Sequence, residues 1–495
     1  MPVNALVHGL RGARGPTRSF RDHVWGRLLS LIGLGLLSLV GGCLPALPHG
    51  RARAPNTSVP ANYGGLTTNE PNSGQIKWSE FFADPKLRAL IEAALMNNQE
   101  LSIVALELDI AQAETLARSG EYLPRLGFGL GAGIEKVGGY TSQGKADDAN
   151  GVPTHLPEFA FGFTASWEVD IWGKLRNATK AANLRYLASQ EGRNFAITRL
   201  VGELAMSYYE LVALDAQLEV VKQNIEIQNS ALTIVKLQKD AARVTELAVQ
   251  RFEAEVLKNQ GRQFGIQQQI VEAENRINFL VGRFPQPVDR STNRLVDQVP
   301  PIVHAGIPTQ LLDNRPDVRQ AQLELAAADL DFRAAKASFY PSLGLSARIG
   351  YESFDFLKLV STPASLAYSL GADLLAPLLN RRGITAGYFA ANARQMQAVH
   401  RFERAILSGY LDVVKLLAMI HNLEKSYELQ SQQVDRLTRS IDISAKLFAS
   451  ARADYMEVLL TRRDALEAQM ELIENKKRQM NAAVGLYQAL GGGWR

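Results

Sequence analysis

Leu126-Gly127-Phe128-Gly129-Leu130-Gly131-Ala132-Gly133-Ile134 decides how the rest of this chain is read. Apolar residues alternate with small ones, so one face is apolar and the other nearly bare, the period-2 signature of a β-strand. After a polar, Gly-rich loop, Phe159, Phe161, Phe163, Ala165 and Trp167 alternate with Ala160, Gly162, Thr164 and Ser166. Each run is about 10 residues long, enough for a tilted strand to cross a bilayer. A soluble sandwich hairpin shares this alternation. A phosphate-loop reading of Gly129-Leu130-Gly131-Ala132-Gly133 fails, because the glycines hold alternate strand positions and no helix starts after them.

Helical patterns flank the pair on both sides. Asp84-Pro85 caps a short helix, and a longer one runs from about Gln99 to Tyr122, stopping at Pro124. Downstream, a helix from about Gly173 to Asp240 is roughly 100 Å long. It turns at Ala242-Arg243-Val244-Thr245 and returns over 246–282. Leu204, Leu211, Leu218, Ile225 and Leu232 stand seven apart, a narrow seam that buries against other helices.

The chain then repeats itself. Ala181-Ala182-Asn183 reappears 209 residues later as Ala390-Ala391-Asn392, Leu280-Val281-Gly282 as Ala489-Leu490-Gly491, and the heptad as Val413, Ile420, Tyr427, Val434 and Ile441. A further strand pair is expected at about 342–352 and 366–375. In the stretch ahead of it the offset is 217, eight more than 209, which puts the length difference in the outer hairpin loops. The boundaries are a signal peptide over 1–42, a tether over 43–77 and repeat 1 over 78–283, with strands at about 125–136 and 158–169 and a tip at 240–246. A linker over 284–308, wrapping the outside of the helices, leads to repeat 2 over 309–495, with its tip at 449–455.

Five arginines precede the apolar run 28–40, too short to span a bilayer and of secretory-signal form. The run ends Leu39-Val40-Gly41-Gly42-Cys43, which resembles the bacterial lipobox. Cleavage before Cys43, the only cysteine, frees its thiol for lipid; an ordinary signal with an incidental cysteine is the alternative. A net charge of +4, with both signs interspersed, points to no nucleic-acid partner. No His, Met or Cys cluster has metal-ligand spacing, and no Ser/His/Asp, zinc or phosphate-loop arrangement points to an enzyme or a bound cofactor.

Four membrane strands cannot close alone, and an open edge in lipid leaves unpaired backbone groups. Two copies give 8 strands and three give 12; small inner faces suit the wider barrel and lean towards a trimer. The helices, polar on their remaining faces, then project into the periplasm as a tube. A non-channel coiled-coil lipoprotein is the competing class.

Over 78–494 the chain resembles the TolC-type outer-membrane efflux factors, in particular their lipoprotein class (NodT-like, OprM-like) serving resistance-nodulation-division systems. The residues that carry the resemblance are Ser166-Trp167-Glu168-Val169-Asp170-Ile171-Trp172-Gly173-Lys174-Leu175-Arg176, Asn314-Arg315-Pro316-Asp317-Val318, Phe339-Tyr340-Pro341-Ser342-Leu343 and the ending from Leu486 to Trp494. It implies a mixed α and β membrane protein: a homotrimeric 12-strand transmembrane β-barrel continuous with a periplasmic α-helical coiled-coil barrel, built from two repeats. It also implies a non-enzymatic exit duct for small molecules, working with a periplasmic adaptor and an inner-membrane pump; a duct for type I protein secretion shares the fold. The adaptor-contact tips become Ala242, Arg243, Val244, Thr245, Ala451, Arg452, Ala453 and Asp454. Both tips carry alanine, at Ala242 and Ala451, where the family has glycine, so the turns are expected to close differently. The expected periplasmic gate comprises Ala248, Met456, Glu457 and Leu460, of which only Glu457 keeps the family's acidic charge.

Overall fold

The computed structural model describes residues 44–64, 72–291, 295–450 and 452–495. The expected signal peptide, Cys43 and Ala451 lie outside them. Among the described residues the order is α1 (Trp78–Phe81), α2 (Pro85–Asn97), α3 (Gln99–Tyr122), β1 (Arg125–Glu135), α4 (Ser142–Ala149), β2 (Leu156–Val169), α5 (Lys174–Asp240) and α6 (Glu246–Val281). The second half follows as α7 (Leu311–Asn314), α8 (Pro316–Ala337), β3 (Ser342–Ser353), β4 (Leu366–Leu375), α9 (Arg382–Ala449) and α10 (Tyr455–Ala489). The chain divides into two compact units, one holding the strands and one holding most of the helices.

In the first unit the strands form one antiparallel sheet in the order β1-β2-β3-β4. Register puts Phe128 opposite Phe163 and Phe161 opposite Tyr351, so the aromatic residues share a face. Gly129, Gly162, Gly350 and Ala367 line up across the other face. A Cβ on Gly162 would lie 2.4 Å from the Ile349 carbonyl oxygen, and one on Gly350 would lie 2.2 Å from that of Phe161. The two strands approach there as only glycines permit. The hairpin loops differ as expected: 136–155 has 20 residues and 354–365 has 12. The surplus equals the eight residues of α4, a helix where the sequence pattern predicts loop; it is capped by Thr141, whose Oγ1 accepts from the Gly144 amide.

The exit from β2 shows why its motif is spelled as it is. The Asp170 carboxylate accepts the amides of Leu175 (3.1 Å) and Arg176 (2.9 Å), capping α5, and pairs with the Arg176 guanidinium. Gly173 turns the chain at φ +73°. Trp172 donates Nε1–H to the Pro341 carbonyl (2.8 Å) and stacks on Tyr340. The two quoted motifs therefore meet as one joint.

In the second unit the heptad of α5 is buried at Leu204, Leu211 and Ile225. Of the matching heptad positions on α9, Val413 alone is fully covered; Ile420, Tyr427, Val434 and Ile441 are half-buried. Asp84 caps α2 by accepting from the Lys86 amide, with Pro85 at the first position. The linker over 284–308 joins the core: Val288 and Leu295 are buried in the main apolar cluster. The tether expected over 43–77 is corrected where it is described. Arg53 grips Glu403 with both guanidinium nitrogens, the Asn56 amide donates to the same carboxylate, and Tyr63 is buried against Tyr410. Residues 53–63 form a strap on α9, because one carboxylate and one aromatic socket hold an otherwise irregular segment.

Candidate functional site

The hairpin tips are built by the backbone. At the end of α5 the Ala242 amide bonds to the Lys239 carbonyl (2.9 Å) and the Arg243 amide to that of Gln238 (2.8 Å). This is a paired C-terminal closure whose central residue must be left-handed, and Ala242 adopts φ +52°. At the first tip alanine itself takes the left-handed conformation, and its Cβ is accommodated there. At the second tip the Arg452 amide makes the equivalent bond to Leu447 (2.9 Å). Thr245 and Asp454 precede the returning helices in extended conformation, without side-chain caps. Lys239–Glu246 (2.9 Å) and Lys236–Glu253 (2.6 Å) tie α5 to α6.

Ala242, Arg243, Thr245, Arg452 and Asp454 are exposed, and Val244 and Ala453 half-exposed. Beneath them a small core of Val235, Ala248, Val249 and Phe252 takes in Val244 from its own tip and Tyr455 and Leu459 from the other hairpin. The two tips thus share one core. Ala248 is completely buried in it, which corrects its assignment to a passage lining: a side chain this small sits where α5, α6 and α10 converge. Met456 is half-buried, with the Arg251 guanidinium 3.4 Å from its sulfur. Glu457 and Leu460 are exposed, and the Glu457 carboxylate makes no ion pair among the described residues.

Two features escaped the sequence reading. Arg462 reaches the Ile227 carbonyl on the other hairpin (3.3 Å) while its Nε has no partner, and burial pushes its pKa down. The second hairpin also carries a polar seam: Asn475 donates to Gln430 (2.7 Å), Gln479 to the Leu423 carbonyl (3.0 Å), and Lys476 lies 4.8 Å over the Tyr427 ring. The first hairpin has Ile266, Gln267 and Ile270 at the matching positions. The 209-residue repeat held that signal, since apolar residues become polar in a buried register.

A sheet with one apolar face, joined to paired long hairpins, is now matched by comparison. The model of the outer membrane efflux protein family fits residues 90–283 and 307–492. The chain belongs to that family. It is an efflux protein of the outer membrane, and its family is one of channels rather than enzymes. It is 30% identical over 467 residues to the pyoverdine export outer membrane protein OpmQ of Pseudomonas aeruginosa, covering 93% of this chain and 97% of that one. It is 26% identical to the probable outer membrane lipoprotein SilC of Salmonella typhimurium, covering 94% and 99%. The crystal structure of the open state of the Neisseria gonorrhoeae MtrE outer membrane channel shares the fold, with a TM-score of 0.80, 22% identity and coverage of 91% and 98%.

Proposed function

We propose that three copies of this chain close their sheets into a 12-strand barrel and their hairpins into a periplasmic tube. The assembly passively conducts small molecules (drugs, toxic compounds or metal ions) delivered by a periplasmic adaptor and an inner-membrane pump of the resistance-nodulation-division class. The observation that carries this is the sheet's two free edges: β1 and β4 each pair on one side only. In lipid, unpaired backbone edges cost several kcal/mol per group, and only closure removes them. The half-covered seam of α9 asks for the same neighbours, since Ile420, Tyr427, Val434 and Ile441 stay partly exposed within one chain. Native mass spectrometry of the detergent-extracted protein should give three times the chain mass, with steady single-channel currents in planar bilayers. A monomeric mass without current refutes the duct.

The exposed tip residues Ala242, Arg243, Thr245, Arg452 and Asp454, with Val244, Ala451 and Ala453, are the proposed adaptor contact; Glu457 and Leu460, flanked by Met456, are the proposed gate. Three Glu457 carboxylates around one constriction favour cations. Glu457→Ala should raise conductance and lower cation selectivity; unchanged selectivity removes Glu457 from the gate. Cys43 is the proposed lipid attachment, and Cys43→Ser should remove the acyl mass from the mature N-terminus in mass spectrometry.

A further inference from the structure

The two hairpin loops, at the strand ends away from the helices, are unlike each other. The loop over 136–155 is polar and carries α4 with its Thr141 cap. The loop over 354–365 exposes Phe354, Phe356, Leu357 and Val360, between 62% and 87% exposed. It is nonetheless tightly built. The Asp355 side chain accepts from the Leu357 amide (3.0 Å), and Ser365 Oγ donates to the Lys358 carbonyl (2.7 Å). The Tyr351 hydroxyl meets Thr362 Oγ1 at 2.9 Å. Its direction is fixed by one contact: Phe356 packs edge-on against Phe159, with ring centroids 5.3 Å apart. Phe159 alternates with Phe161 and Phe163 on the aromatic face, opposite the glycine row. The loop therefore folds over the outward face of the sheet instead of across the bare inner face.

We infer that residues 354–360 form a rigid apolar anchor seated among the acyl chains of the outer leaflet, extending the lipid-facing surface beyond the end of β3. The inference rests on the reading of this sheet as a membrane wall. Exposed apolar side chains on an ordered loop, continuous with an apolar strand face, are stabilised by hydrocarbon and disfavoured in water. The single Lys358 beside Asp355 gives no basic patch for phosphate-rich headgroups. The partner is thus the acyl region.

Nitroxide labels at Leu357→Cys, Tyr140→Cys and Leu370→Cys in the full-length protein, reconstituted in vesicles, test this by collision with oxygen and with a neutral nickel chelate. Unsubstituted protein serves as the blank for Cys43. Leu370 is a mid-strand outward residue, and Tyr140 is fully exposed on the other loop. The expected result is oxygen access with nickel exclusion at Leu357 and Leu370, and the reverse at Tyr140. Nickel access at Leu357 with Leu370 still protected overturns the anchor alone. Shielding of Leu357 from both reagents also overturns it, assigning the loop to a neighbouring copy. Nickel access at Leu370 overturns the membrane wall and the anchor with it.

Discussion

Ala242 holds a backbone conformation that an L-residue pays about 1 kcal/mol to enter, and glycine does not. Ala242→Gly should therefore stabilise the first tip and slow amide exchange around 238–248 by about fivefold, given that 1.4 kcal/mol is a factor of ten. Unchanged or faster exchange would show that the turn bears no strain. At Asp170, burial alone would raise the pKa; the amides of Arg176 and Leu175 and the Arg176 guanidinium outweigh it and hold the carboxyl below its usual range. A depressed pKa contributes stability above the unfolded value near 4 and loses it as pH falls through the folded value. Asp170→Ala should cost about 1–2 kcal/mol at neutral pH. In thermal unfolding the gap from the unsubstituted protein should narrow below about pH 4; a gap independent of pH would mean the carboxylate charge contributes nothing.

At the scale of elements, the strap is the part most easily released. The Glu403 pKa is lowered first by its bonds to Arg53 and then by the Asn56 amide, so acid should loosen it. Glu403→Gln should speed amide exchange over 53–63 at neutral pH while leaving α9 protected; equal protection would assign the strap to Tyr63 alone. This contrast explains what was legible. Period 2 at Leu126–Ile134 and the seven-residue spacing from Leu204 announce strands and long helices, because each is repeated many times. The strap, α4 and the Asn475–Gln479 seam rest on single long-range pairs or one local cap, which carry no period. At the tips, sequence position identified the turns, but not the inward direction of Ala248 or the reach of Arg462, since both depend on how two hairpins converge.

For the whole molecule, the closure proposed above should depend on the close approach where Gly162 faces Gly350. Gly162→Ala should sharply reduce recovery of the assembled, heat-resistant protein, seen as loss of the high-mass band in unheated gels. Gly344→Ala, flanked by β2 and β4 within the chain and with nothing closer than 3.8 Å to an added Cβ, should not. Equal recovery of both variants would show that assembly does not need this close approach. In the trimer proposed above, each chain's unfinished sheet is completed by its neighbours, which would then inherit its faults. If functional and closure-defective chains are made in equal amounts and mix freely into trimers, roughly one assembly in eight contains only sound copies. A defective allele would then act dominantly over an intact one, and in genetic terms the unit of inheritance for export would be the assembly.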